Sequence, residues 1–174
     1  MLKPQDVFVC LKVQVSRDRD WTYRSLGKEL AMSHSEVHEA LKRASDAGIY
    51  SKKSRAVLAE TFLKMLKGLR YIFYAKPGRM VRGIPTAHSG PPLSEEIQSS
   101  AEDVYVWADP EGEVRGQKIE PLYSSVPPAV KKDQELYEWL NLVEAIRVGR
   151  PREQKRAMEI CEKRFKTAEI EEQN

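Results

Sequence analysis

Cysteine is nearly absent. Cys10 and Cys161 are the only two in 174 residues. Thiols so far apart supply neither a disulfide framework nor a metal-ligand pattern, and a reduced, cytoplasmic context is expected. Long apolar runs are missing too. Nothing approaches the roughly 18–20 residues that a membrane span needs. The N-terminal stretch MLKPQDVFVCLKVQV carries Asp6 and Lys12 and has no small-residue cleavage site, so it does not read as a secretory signal. No internal repeat is evident. The length suits one compact domain, or a small domain with an appendage.

Charge of one sign is missing overall, since the formal net charge is only +3. That balance conceals two unlike halves. Residues 1–90 carry a net +9 and residues 91–174 a net −6. A basic first half can draw a polyanion to one end of the chain, whereas the acidic half suits protein contacts.

The first half shows local start and stop signals. Pro4 suits a first helical turn, and Val7, Leu11 and Val15 recur every four residues, which predicts a helix over 4–15. Thr22 is a cap candidate for a second helix over 22–31, with Leu26 and Leu30 inward. A short turn at Met32 and Ser33 follows. Ser33-His-Ser-Glu36 has capping-box spacing and opens a third helix, 34–47, with Val37, Leu41 and Ala44 as its apolar stripe. Gly48 stands where a left-handed C-terminal residue belongs. Basic SKKSR (51–55) followed by AVL predicts a short strand pair, or wing.

Residues 60–69 predict a short amphipathic helix ending at Gly68. RYIFYA (70–75) is aromatic and β-branched and predicts a strand. The stretch 76–93 holds three Gly and four Pro, and no regular element is expected there. VYVWA (104–108) predicts a strand, DPEGE a turn, and VRGQKIEPLY a returning strand. Two prolines at 127–128 precede a helix over about 129–148, with Leu136, Leu140, Val143 and Ile146 on one face. A last helix is expected over 151–167, then a frayed tail. The fold class expected is α+β. A domain at 1–75 is followed by a Gly/Pro-rich loop with short strands at 76–128. A helical pair at 129–174 serves interaction or dimerisation.

Residues 21–50, WTYRSLGKELAMSHSEVHEALKRASDAGIY, resemble the DNA-binding core of winged helix-turn-helix bacterial regulators of the MarR type. The resemblance rests on Leu30-Ala31, the turn at Met32, the Ser33 cap, Val37 and Leu41, and the Gly48-Ile49 exit. Met32 departs from the pattern, which often has Gly there. The resemblance covers about 30 residues closely and about 70 loosely. It implies a winged-helix domain that binds double-stranded DNA as a transcriptional regulator, expected here to be a dimeric repressor.

The residues support that reading on their own. DNA's major groove admits one α-helix, which needs an apolar face for anchoring and a polar face for reading. With Val37 inward, His34, Ser35, His38, Glu39 and Lys42 face outward. Ser33 and Ser35 at the helix start suit phosphate contact. Arg24 and Lys28 on the second helix, and Lys52, Lys53 and Arg55 in the wing, are candidate phosphate clamps. Glu39 can accept from a cytosine amino group but otherwise repels the backbone, and Asp46, further along the same side, counts against deep insertion there.

His34 and His38 share a helix face, but His-Ser-Glu-Val-His is not the zincin order, and no third ligand is evident. His88-Ser89 lacks a nucleophile elbow. No enzyme activity, metal or cofactor is expected. Arg79, Arg82 and His88 could extend a DNA footprint. The run Arg147, Arg150, Arg152, Lys155 and Arg156 reads as a solvated helix end. The apolar face of 136–146, with Trp139, either packs on the sheet or forms a dimer interface. The competing class is an antitoxin-like or adaptor protein that binds a protein partner through 76–93 and the C-terminal helices. A basic surface through Lys42, Lys52, Lys53 and Arg55 favours DNA. One neutralised by Glu39 and Asp46 favours a protein.

Overall fold

The structure, a computed structural model, describes residues 1–173. Among them are seven α-helices and two small sheets, an α+β fold. The chain forms two compact units, each discontinuous in sequence: Met1–Phe62 with Pro121–Tyr137, and Leu63–Glu120 with Glu138–Asn174.

In the first unit α1 spans Pro4–Val15, α2 Tyr23–Leu30 and α3 His34–Asp46. These bounds follow the local signals. Pro4 opens α1, Thr22 caps α2 through the Ser25 amide, and Ser33 caps α3. Gly48 ends the third helix with φ +75°. Strand β1 (Tyr50–Ser51) pairs antiparallel with β2 (Ala56–Val57) around a turn. Helix α4 (Ala59–Ile72) begins here. Residues 121–137 return as α5 (Val126–Val130), whose Pro127 and Pro128 lie inside the first turn, and as the start of α6 (Gln134–Val148).

The core of this unit is Val7, Phe8, Leu11, Leu26, Leu30, Val37, Ala40 and Leu41, all fully buried. Ion pairs lock the frame around it. The fully buried Asp6 holds Arg43 of α3. Lys12, its side chain 3% exposed, lies 2.5 Å from both Glu29 and Asp133. Arg19 closes the network with two bonds to Glu29.

The second unit departs from several expectations. Residues 70–75 are not a strand, because α4 continues through Gly68 to Ile72. The Gly/Pro-rich stretch is not irregular throughout. Strand β3 (Met80–Pro85) lies there, followed by short 3-10 turns at Ala87–Ser89 and Leu93–Glu95. Strand β3 pairs antiparallel with both β4 (Tyr105–Ala108) and β5 (Val114–Lys118), and β4 meets β5 in parallel, closing a three-stranded ring. A Cβ on Gly83 would stand 2.0 Å from the Trp107 carbonyl oxygen, so this close approach requires glycine.

Helix α6 is buried all round from Trp139 to Arg147, so its apolar face is already covered within the chain and is not left over for a dimer. It carries a buried pair, Glu144 and Arg147, at 2.8 Å. Arg147 also donates to the carbonyls of Phe73 and Glu120, which satisfies a guanidinium that burial would otherwise penalise. Helix α7 (Pro151–Glu172) extends beyond the expected end at 167. It buries Ala157, Cys161, Phe165 and Ala168, and the Phe165 ring packs 5.1 Å from Trp139. Burial pushes the Cys161 thiol up to about 12, so it is an inert core residue.

Candidate nucleic-acid interface

Helix α3 separates its faces cleanly. Val37, Ala40, Leu41 and Ala44 are buried, while His34, Ser35, His38, Glu39 and Lys42 are exposed. The helix is held from behind by the Asp6–Arg43 pair, so Arg43 serves as an anchor and Lys42 is left outward. His38 meets the Tyr23 ring edge-on at 5.1 Å and lies 3.4 Å from Glu39. Arg24 and Lys28 are exposed on α2.

The turn between α2 and α3 is tight. Ala31 takes a left-handed conformation with φ 51°, and the Met32 amide donates back to the Gly27 carbonyl. A Cβ at Gly27 would come within 2.6 Å of the Met32 carbonyl oxygen. The departure at Met32 is accommodated by burial of its side chain, 8% exposed.

The start of α3 is a closed capping box. The Ser33 hydroxyl accepts from the Glu36 amide at 3.1 Å, and the Glu36 carboxylate accepts from the Ser33 amide at 2.8 Å. The Tyr123 hydroxyl adds a third bond to Glu36 at 2.5 Å. That hydroxyl and the Ser33 amide hold the Glu36 carboxyl below its usual range, so it stays charged. A carboxylate at this position offsets the pull of the helix terminus on a phosphate. Ser33 therefore acts first as a cap, and Ser35 is the more open hydroxyl. Sequence reading did not find Tyr123, because no spacing rule links residues 36 and 123.

The hairpin divides its cations. Arg55, itself left-handed with φ 54°, donates to the Trp21 carbonyl at 2.5 Å, and its guanidinium lies 4.1 Å over the Trp21 ring. This contact ties the hairpin to the start of α2 and takes up much of Arg55's reach as a phosphate clamp. Lys52 and Lys53 are exposed and make no ion pair among the described residues. Lysines at such a tip keep their hydration until they meet an anion.

Among the described residues, one group in the second unit has metal-ligating potential: His88, Asp103 and Glu153. His34 and His38 are not in it. The His88 ring is 1% exposed, which removes it from any DNA footprint. Its Nε2 lies 2.6 Å from the Asp103 carbonyl, and its Nδ1 is 3.8 Å from Glu153. Arg150 grips both carboxylate oxygens of Asp103, at 2.6 and 2.9 Å. A guanidinium thus already supplies the positive charge, and the arrangement works as an internal ion cluster that docks α7. Ser89 accepts from the Tyr105 amide at 2.9 Å and lies 3.4 Å from the His88 ring, too loosely placed for a nucleophile and its base.

No family model, curated protein or solved structure matches the chain. Among the described residues, no helix is long and apolar enough to cross a membrane.

Proposed function

We propose that the first unit is a winged helix-turn-helix that binds double-stranded DNA, with α3 in the major groove and the β1–β2 hairpin on the phosphate backbone. The observation that carries this reading is the split character of α3 and the hairpin. Four apolar positions of α3 are buried, while His34, Ser35, His38 and Lys42 are exposed in company with Lys52 and Lys53. A helix anchored in this way can present base-reading side chains, and the hairpin lysines can fix register without reading sequence. The protein acts as a transcriptional regulator, a dimeric repressor whose two copies read two half-sites. Its dimer contact lies elsewhere than on the buried α6. Asp46, exposed at the C-terminal end of α3, opposes close approach of the backbone there.

The test is fluorescence-anisotropy binding to a duplex from the protein's own upstream region, against a scrambled duplex, at two salt concentrations. Tighter binding to the native duplex that persists at the higher salt supports the reading. Equal binding to both that disappears with salt leaves only basic charge and overturns it.

A further inference from the structure

From Thr61 to Ser94 the chain has no acidic residue and six basic ones, in a protein where nearly a third of all residues are charged. This segment contains most of α4, the run 73–79, β3 and the short turn at Ala87–Ser89. Phe62 is in the core, but the two tyrosines of the segment are not. Tyr71 is 81% exposed and Tyr74 is 65% exposed, beside Ile72 at 57% and Met80 at 44%. Each tyrosine has a cation close to its ring. The Arg70 guanidinium is 5.7 Å from the Tyr71 centroid, and the Lys76 ammonium is 5.7 Å from that of Tyr74.

The adjoining sheet repeats the theme. Arg82 of β3 and Arg115 of β5 stand directly opposite each other in register, and both are exposed. Like charges at such positions repel unless an anion lies between them. Arg79, Arg82 and Arg115 make no ion pair among the described residues. Two exposed tyrosine rings with cations beside them, and exposed arginines without an ion pair on β3 and β5, are the features of a single-strand binding surface, in which bases stack on aromatic rings and phosphates follow the cations. A duplex would keep its bases stacked on each other and leave the rings unused.

We propose that the second unit binds single-stranded nucleic acid along this strip. Bases stack on Tyr71 and Tyr74, and phosphates lie on Lys76, Arg79 and the Arg82–Arg115 pair. This surface is independent of duplex binding through α3.

The experiment uses the full chain and three labelled probes at one salt concentration: oligothymidylate, oligouridylate and a duplex of equal length. Binding to oligothymidylate should weaken by about tenfold or more in the Tyr71→Ala, Tyr74→Ala pair and survive in the Tyr71→Phe, Tyr74→Phe pair. Arg82→Gln with Arg115→Gln should weaken it too and lower its salt dependence. Lys52→Ala with Lys53→Ala should leave it unchanged while reducing duplex binding, so failure of either surface can be told from failure of the other. Preference between the thymidylate and uridylate probes identifies DNA or RNA as the source of the strand. Absence of single-strand binding, or equal binding by the alanine pair, overturns the proposal. Loss of binding to anionic lipid vesicles in the alanine pair, with no single-strand binding in the parent, overturns it in favour of a membrane surface.

Discussion

Arg43 lays its guanidinium against Asp6 in a two-pronged ion pair, Nη2 to Oδ1 at 2.6 Å and Nε to Oδ2 at 2.9 Å. The carboxylate is fully buried and its partner is partly open, so α3 is pinned to α1 by a bond whose two ends differ in hydration. Removal of the partner leaves a charge stranded in the core, at a cost of about 3 kcal/mol. Arg43→Met should therefore lower the urea midpoint sharply, and adding Asp6→Asn should recover part of the loss. An unchanged midpoint in the single variant would show that the pair does not hold α3.

The two hairpin lysines should act on affinity and leave sequence preference alone. Lys52→Ala with Lys53→Ala is expected to weaken binding equally on native and scrambled duplexes. Its log–log salt slope should become shallower by about 2, one counterion-releasing contact per lysine. Ser35→Ala or His38→Ala should instead change the ratio between the two duplexes. Anisotropy titrations over a salt series measure both quantities.

The α3 cap should be sensitive to acid. The folded-state value of Glu36 is lowered, chiefly by the Tyr123 hydroxyl and then by the Ser33 backbone. Its contribution to stability is thus complete above the ordinary value of 4.5 and fades as pH falls from there through the lower folded value. Tyr123→Phe removes the hydroxyl that chiefly stabilises the carboxylate, so the Glu36 carboxyl should titrate at higher pH in that variant. A carbon-detected NMR titration reads this directly, and no upward movement would remove Tyr123 from the account.

The α2–α3 turn yields a pair of opposite outcomes. Ala31 sits at φ 51°, a conformation that costs a non-glycine residue roughly 1 kcal/mol, so Ala31→Gly should be neutral or stabilising by up to about that amount. Gly27→Ala places a methyl group 2.6 Å from the Met32 carbonyl, and the turn must shift to admit it. A loss of about 1–3 kcal/mol is expected, with weakened duplex binding as α3 moves. Thermal denaturation of both variants is the check.

The sequence was most informative where structure is determined by neighbours along the chain. Pro4, Thr22, Ser33 and Gly48 satisfy or terminate backbone groups within a few residues, so α1, α2 and α3 were legible to within a residue or two. Strand β3 was not. Its pairing partners are Val106 and Trp107 on one side and Arg115 and Gly116 on the other, over twenty residues away, and its glycine is explained by the Trp107 backbone. Composition alone therefore read it as loop. Residues 70–75 were misread because an aromatic, β-branched run suits a strand locally, whereas α4 is continued by packing of Leu66 and Leu69 in the core. At the candidate interface, exposure of Lys42 follows from helical periodicity and that of Lys52 and Lys53 from the polar stretch SKKSR. The commitment of Arg55 to Trp21 does not, since it depends on a contact between positions 34 residues apart.

Lys12 has a consequence for how this chain is made. Its ammonium lies among buried groups near the N-terminus, yet one of its two carboxylate partners, Asp133, is 121 residues downstream. Glu36 waits similarly for Tyr123, 87 residues later. On the ribosome α1, α2 and α3 emerge well before the segment that completes their unit, which runs from Pro121 to Tyr137. Until then a lysine destined for the interior is only half neutralised. A gene fragment that stops after the hairpin would encode the residues proposed to read DNA and lack part of what holds them in place.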